Sequence, residues 1–222
     1  MTTKLYAGID QSPCHNGVVI LDDTHVVTYW GHSTVKSECK PIPVSHIDIP
    51  KKMSKEHAVY LRLSLWREIW LTDRDRLESM ECPHLRVACE DYAYTKPYGA
   101  HQIGEVSGIM RQIITEAGFK FRVYDPCSVK KFATHSGAAV KDEMVYWAKM
   151  DGFDVEKLGL VGDVATDIAD AYWIAKCLRT EMMVREGRVK LEDLHQDHRD
   201  LFLRVTKHIP VNLLARPFYN EV

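Results

Sequence analysis

The order of the predicted secondary-structure elements constrains the fold more than any other feature of this chain. Three short β-forming runs, LYAGID, GVVILDD and HVVTYWG, fill the first 31 residues. Such runs, joined by turn residues like Asp22 and Asp23, predict an antiparallel meander. Two later strands, LRVACEDYAY and FKFRVYDP, flank a helical pattern over His101–Ala117. A meander followed by strand–helix alternation predicts an α/β fold, with a mixed five-stranded sheet flanked by helices.

The helical spacing of apolar residues predicts the remaining elements. One helix covers about 54–80, and shorter helices cover Ser128–Thr134 and Ala138–Met150. The last helix covers about 163–185. In that helix a 4-3-4-3-4 spacing gives one apolar stripe, which consists of Val164, Ile168, Ala171, Ala175, Leu178 and Met182.

Length and charge limit the domain organisation and the class of partner. A chain of 222 residues suits one large domain, because a domain averages ~150 residues. We interpret 1–185 as this domain, 31–53 as an irregular insertion within it, and 186–222 as a C-terminal appendage. The net charge of −2 excludes a strongly basic nucleic-acid binder but is compatible with a local basic patch.

Targeting and redox features predict a cytoplasmic protein with no membrane partner. No apolar run approaches the ~18 residues of a membrane span, and the start MTTKLYAGID lacks the apolar core of a signal peptide. The six cysteines form no CxxC pair, so we expect reduced thiols rather than a zinc ribbon or a thioredoxin motif. The eleven histidines form neither HxH nor HExxH, and the sequence therefore predicts no zinc site.

Four acidic residues occupy positions that the predicted fold brings together. Asp10 ends the first strand, and Glu90 lies near the end of the fourth. Asp167 and Asp170 are three apart on the last helix, so they share a helix face. That face borders the apolar stripe, since each Asp precedes a stripe residue by one position, or about 100°. If the helix packs on the sheet, its two aspartates approach Asp10 and Glu90.

A cluster of carboxylates predicts a divalent cation. Repulsion and desolvation make such a cluster costly, and a cation removes the cost. Mg²⁺ prefers oxygen ligands, and a pair of ions about 3.5–4 Å apart promotes phosphodiester hydrolysis. We leave Asp91 out of the site because strand alternation points it away from Glu90. Asp163 is also left out, because it is predicted to be an N-cap.

Three segments together resemble a known family. GIDQSPCHNGVVILD, CEDYAY and TDIADAYWIAKC are similar, in this order, to the three motifs of RuvC-like Holliday-junction resolvases of the ribonuclease H superfamily, over about residues 4–180. The resemblance implies a ribonuclease H-like fold and a homodimeric endonuclease that resolves four-way junctions by paired nicks, leaving 5′-phosphates and 3′-hydroxyls. It also implies two Mg²⁺ (or Mn²⁺) ions per site, with no small-molecule cofactor. Its catalytic and metal-binding residues would be Asp10, Glu90, Asp167 and Asp170.

The resemblance also implies DNA-binding residues. Family members carry lysines between the second and third motifs, where this chain has Lys130 and Lys141, with Lys131 as an alternative to Lys130. A lysine there binds phosphate as a point charge. An aromatic residue shortly after the glutamate would stack on bases at the junction centre, and Tyr92 or Tyr94 fills that position.

Departures from the family pattern keep other functions open. The segment 31–80 is long, the tail 186–222 is extra, and GIDQS lacks the Pro-Gly often found after the first Asp. These features suggest a divergent, phage-type member. The alternatives are a ribonuclease H-like nuclease for RNA–DNA hybrid or flap DNA, and a non-cleaving protein that binds branched DNA. A two-domain actin-like kinase or ATPase is excluded by length. The helix over His101–Ala117 would serve either as a dimer interface or as cover for its own sheet.

Overall fold

The sheet is mixed and has five strands. The computed structural model describes residues 4–11, 15–33, 85–91 and 100–205. The strands are β1 (Leu5–Gln11), β2 (His15–Leu21), β3 (Val26–Ser33), β4 (Leu85–Glu90) and β5 (Lys120–Tyr124). In space they follow the order β3-β2-β1-β4-β5. The first three pair antiparallel, whereas β4 pairs parallel with both β1 and β5. The predicted mixed five-stranded sheet is confirmed.

Five α-helices and one 3₁₀ turn complete the described chain. The helices are α1 (Ala100–Glu116), α2 (Pro126–Thr134), α3 (Lys141–Met150), α4 (Gly162–Arg185) and α5 (Gln196–Val205), and the 3₁₀ turn covers Leu191–Asp193. None of these helices combines the length and the apolar character that crossing a bilayer requires. The predicted irregular insertion over 31–53 begins too early, because residues 31–33 belong to β3. The rest of this insertion and the predicted helix over 54–80 lie outside the described residues.

The helix starts differ from the prediction by one to three residues. Helix α1 begins at Ala100 rather than His101, and α2 begins at Pro126 rather than Ser128. Helix α3 begins at Lys141 rather than at Ala138, because Val140 is extended at φ −86° and ψ 165° and acts as the N-cap. Helix α4 begins at Gly162 after an extended Val161. Asp163 therefore lies in the first turn of α4, and its prediction as an N-cap is wrong. A negative charge there still interacts favourably with the helix dipole.

Side-chain alternation divides the sheet into two buried faces. Leu5, Ala7 and Ile9 of β1 pack with α1. The intervening Tyr6 belongs to the opposite cluster, which contains α4. Each face is therefore covered by a helix, as expected for strands in parallel pairing. On α1, the apolar residues Val106 and Met110 are buried against the sheet, which makes them unavailable to a partner molecule.

Helix α4 lies against the sheet without intervening side chains at Gly8 of β1. A Cβ atom built on Gly8 would lie 2.1 Å from the carbonyl oxygen of Ala171 and 2.3 Å from the backbone nitrogen of Ala175. Backbone atoms cannot move aside as a flexible side chain can, so only glycine fits at this crossing. The small residues Ala171 and Ala175 of the predicted stripe complete the close approach, and both are fully buried.

Substitution of Gly8 by alanine should destabilise the protein by about 3 kcal/mol or more, because overpacking against backbone forces α4 away from the sheet. Gly108, on α1, has open space around its Cβ position and provides the matched control. Gly108→Ala should stabilise the fold by about 0.5–1 kcal/mol through helix propensity. Chemical denaturation of both variants measures the difference. Equal stabilities would contradict the close packing of α4.

The chain beyond residue 185 contributes to the core. Leu201 and Phe202 of α5 are buried and belong to the same cluster as α4. The ring of Phe202 packs edge-on against Phe132 of α2 at 6.3 Å between centroids. Within the predicted appendage 186–222, residues 196–205 form α5, and Leu201 and Phe202 of this helix pack in the core.

A buried ion pair ties β5 to α4. Arg122 and Glu181 are 2% and 0% exposed. The Nε of Arg122 donates to Glu181 at 3.1 and 3.2 Å, and its Nη2 also donates to this carboxylate. The Tyr124 hydroxyl donates to it at 2.6 Å and the Arg185 Nε at 3.0 Å. Four donors from three residues therefore satisfy one buried carboxylate, as a buried charge requires.

Candidate active site

Asp10 and Glu90 lie side by side at the carboxyl ends of two parallel strands. The register of β1 with β4 pairs Ile9 with Cys89, so the next residues along the two strands are Asp10 and Glu90. Ile9 and Cys89 pack on the α1 side. Because successive side chains alternate, both carboxylates face the α4 side of the sheet.

Helix α4 brings two further carboxylates to this edge. Gly17 of β2 pairs with Asp10 in the sheet. A Cβ atom built on Gly17 would lie 2.3 Å from the backbone oxygen of Asp167. The helix therefore passes over the Asp10 position at Asp167, which is 2% exposed. Asp170 follows one turn later on the same face.

Burial and neighbouring charges shift the pKa of Asp10. Asp10 is 9% exposed. Burial raises its pKa well above its usual range, and the negative charges of Glu90, Asp170 and Asp167 raise the pKa further. The Lys141 ammonium group opposes the shift. Asp10 therefore interacts with all three other predicted site carboxylates.

Lysines from two elements offset part of this negative charge. Burial raises the pKa of Asp170 to about 6, while Lys141 and Lys130 lower it and Asp167 raises it. The Nζ of Lys141 lies 3.3 Å from Oδ1 of Asp167. Burial lowers the pKa of Lys141, but the Asp167 carboxylate and its neighbours outweigh burial, and the net shift is upward.

The donor set suits a hard divalent cation, although the carboxylates are spread apart. Within the described ranges, no three of these four carboxylates bring oxygens within 4.8 Å of one another, a spacing found only at His135, His195 and Asp197. Mutual repulsion keeps like charges apart, and a cation between them removes that repulsion. Several carboxylate oxygens with room for water are what Mg²⁺ requires. The residues present therefore fit the metal that the sequence predicts.

The predicted DNA-binding residues have different surroundings. Lys141 contacts Asp167, and Lys130 lies close enough to Asp170 to lower its pKa. Lys131 instead pairs with acids of α5, at 3.0 Å from Asp197 and 3.6 Å from Asp200. Of the two alternatives, Lys130 is the one beside the carboxylates. Tyr92 and Tyr94 lie outside the described residues.

Sequence reasoning missed the residues that hold the Glu90 backbone. The Nε2 of Gln11 donates to the Glu90 carbonyl oxygen at 2.8 Å and to Ser107 Oγ of α1 at 3.1 Å. Arg111 of α1 pairs with Asp91 at 3.1 Å. These contacts join the ends of β1 and β4 from the α1 side. The sequence feature that could have indicated this role is the polar Gln11 at the end of a buried strand, because a buried polar side chain is expected to form hydrogen bonds.

Replacement of Asp170 by asparagine should stabilise the metal-free protein at neutral pH. A folded-state pKa of about 6 lies above the ~4 of an unfolded aspartate. The wild type should therefore lose stability relative to the variant as pH rises from about 4 to about 6, with a plateau above. The plateau difference is at most ~3 kcal/mol for a shift of about two pKa units.

Thermal unfolding in EDTA, from about pH 4 to about pH 8, measures this difference, which amounts to several degrees in Tm for a domain of this size. Asp193→Asn, which neutralises an exposed carboxylate in the 3₁₀ turn, is the control and should leave Tm nearly unchanged. The Tm difference between Asp170→Asn and the wild type should shrink toward acidic pH. If it grew instead, burial of the ionised Asp170 carboxylate would not be costly.

Comparison with solved structures identifies the fold. The structure of Thermus thermophilus RuvC is 21% identical and covers 82% of this chain and 96% of that protein, with a TM-score of 0.51. The same protein in complex with Holliday junction substrate is also 21% identical and covers 83% and 96%, with a TM-score of 0.52. No protein-family model matches the chain, and no curated protein matches it. The chain therefore has a RuvC-like fold of the ribonuclease H type.

Proposed function

We propose that this protein is a metal-dependent endonuclease that resolves four-way DNA junctions by paired nicks. The observation that carries the proposal is the group of four carboxylates from β1, β4 and α4, in which Asp10 is buried and interacts with the other three. A cluster that raises the pKa values of its own members is costly to the fold, and such clusters mark functional sites. The RuvC-like fold supports the choice of branched DNA as substrate.

Asp10, Glu90, Asp167 and Asp170 would hold the metal, with Mg²⁺ or Mn²⁺ as the ion and two ions per site. Bound there, the ions would supply Lewis-acid activation of water and stabilisation of the leaving oxygen. Asp10 and Asp170 would be the principal ligands, Glu90 a bridging or positioning ligand, and Asp167 the group that completes the site. Asp10 and Asp167 are buried, and the lower local dielectric there strengthens their charge interactions.

Other residues of this chain would position the reacting groups. Gln11 and Arg111 hold the end of β4, and this restrains Glu90. Lys141 contacts Asp167, from where its ammonium group can reach a phosphate once a cation compensates the aspartate. Lys130 would contact a neighbouring phosphate, and Tyr92 would stack on a base at the junction centre.

A homodimer would match the symmetry of the substrate. A four-way junction has near two-fold symmetry, so a C₂ pair of subunits would present one site to each of two strands. A supercoiled plasmid that extrudes a cruciform tests this directly. Two coordinated nicks within one binding event yield linear DNA, which we expect as the main product. Accumulation of nicked circles would contradict paired cutting, and an uncut plasmid would contradict the proposed function.

A further inference from the structure

A second group of potential metal ligands lies between α2 and α5. It consists of His135, His195 and Asp197, whose ligand atoms all lie within 4.8 Å of one another. The Nδ1 atom of His135 is 2.8 Å from Oδ2 of Asp197, and the Nδ1 atom of His195 is 3.3 Å from the same oxygen. None of these residues belongs to the carboxylate cluster of the proposed nuclease site.

The ends of two helices build this group. His135 is the C-cap of α2 and adopts a left-handed conformation at φ 64°, with its N–H donating to the Lys131 carbonyl oxygen. A left-handed backbone is uncommon for non-glycine residues, although histidine adopts it more often than most. His195 directly precedes α5, and Asp197 lies in the first turn of that helix. The chain thus brings together residues that are 62 positions apart.

The spacing of the ligand atoms fits a tetrahedral transition-metal ion. With zinc–ligand bonds of about 2.0–2.1 Å, tetrahedral ligand atoms are about 3.4 Å apart. The distance from Oδ2 of Asp197 to Nδ1 of His195, 3.3 Å, is close to this value, and the distance to Nδ1 of His135, 2.8 Å, would have to lengthen by about 0.6 Å. We propose that His135, His195 and Asp197 bind one zinc ion.

The surroundings of Asp197 support this assignment. Lys131 contacts the other carboxylate oxygen, Oδ1, at 3.0 Å and thereby orients Oδ2 toward the two imidazoles. Such outer contacts fix the direction of a ligating carboxylate. Two imidazoles and one carboxylate select zinc over magnesium, which prefers oxygen ligands and water. Both histidines are exposed, so water can fill the fourth position.

A bound zinc ion would fasten α5 to α2. The same atoms can also form an ion-free network, in which His135 donates from Nδ1 to Asp197 and Lys131 supplies the positive charge. The backbone N–H of Asp197 also donates to Nδ1 of His195 at 3.3 Å. Zinc requires an unprotonated nitrogen from each imidazole, so it would replace the proton between His135 and Asp197 and would compete with this backbone hydrogen bond for His195. The zinc ion would thus link α2, which carries Lys130 and Lys131, to α5 in the chain beyond residue 185.

Equilibrium dialysis of the full chain against Zn²⁺, in the presence of a large excess of Mg²⁺, tests the proposal. Magnesium saturates the carboxylate site, so the bound zinc reports on the histidine site. His135→Asn retains a residue that tolerates the left-handed backbone, and His195→Ala removes a ligand outside that strained position. His25→Ala is the control, because His25 is an exposed histidine that pairs with Asp22 at 3.0 Å.

We expect one magnesium-resistant zinc ion per chain, and affinities at least 30-fold weaker in His135→Asn and in His195→Ala. Zinc should also raise the Tm of the wild type and of His25→Ala, but of neither ligand variant. Absence of magnesium-resistant zinc would overturn the proposal, as would wild-type affinity in both ligand variants. Neither readout depends on nuclease activity, so failure here leaves the proposed function standing.

Discussion

Asp10→Asn should reduce the rate of junction cleavage by at least three orders of magnitude. Asp10 is the most central of the four carboxylates, because Glu90, Asp170 and Asp167 all raise its pKa. Asparagine keeps the shape of the side chain but removes the charge that would hold the cation. Loss of a group that only orients a metal ligand costs about 10–100-fold, so the loss of a principal ligand should cost more. Single-turnover cleavage of a labelled four-way junction measures the effect.

Two controls separate catalysis from folding in this experiment. Asp193→Asn removes an equal charge from the surface and should cut at the wild-type rate. Asp10→Asn itself should bind the junction and should unfold at a higher Tm than the wild type in EDTA, because it relieves a buried, repelled carboxylate. If Asp10→Asn cut the junction within tenfold of the wild-type rate, Asp10 would not be a principal metal ligand.

Glu181→Ala should have the largest effect on stability, a loss of about 3–5 kcal/mol, because it leaves a buried guanidinium without its countercharge. Arg122 is 2% exposed, and its guanidinium group pairs with Glu181 between β5 and α4. The Tyr124 hydroxyl would lose its acceptor at the same time. Urea denaturation followed by circular dichroism measures the free energy of unfolding.

A surface pair provides the matched control. Glu186 contacts Lys4 at 2.7 Å and Arg188 at 2.8 Å near the end of α4. Glu186→Ala should cost less than about 1 kcal/mol, because solvent screens exposed pairs. The double variant Arg122→Met/Glu181→Met should recover much of the loss of Glu181→Ala, since it removes both buried charges. Equal losses in Glu181→Ala and Glu186→Ala would contradict a structural role for the buried pair.

Local sequence pattern is sufficient to predict the elements that carry the four acids. Strand alternation and strand ends place Asp10 and Glu90, and the one-residue offset from the apolar stripe places Asp167 and Asp170. These inferences depend on the side-chain periods of 2 residues in a strand and 3.6 residues in a helix, which can be recognised in the local sequence. Burial on α4 extends beyond the predicted apolar stripe. Helices α2 and α3 cover the side of α4 that faces away from the sheet, and Trp173 is buried there.

Tertiary contacts explain what the sequence could not predict. The need for glycine at positions 8 and 17 depends on where α4 crosses the sheet, and no local period records that crossing. Burial of Arg122 and Glu181 is unexpected for charged residues taken singly, and it becomes favourable only when the two meet. The start of α3 was predicted three residues too early because the small residues before Val140 suit both a helix and a turn.

Cleavage by metal-stripped wild-type protein tests the central claim most directly. The protein is treated with EDTA, dialysed, and mixed with a labelled four-way junction, with linear duplex and with an RNA–DNA hybrid. Adding Mg²⁺ should restore rapid, symmetric nicking of the junction, with little cutting of duplex or hybrid. Cutting of the hybrid in preference to the junction would show that the site acts on a nucleic acid other than the proposed four-way junction. Junction binding without cutting, in Mg²⁺ and in Mn²⁺ alike, would contradict the proposed enzyme.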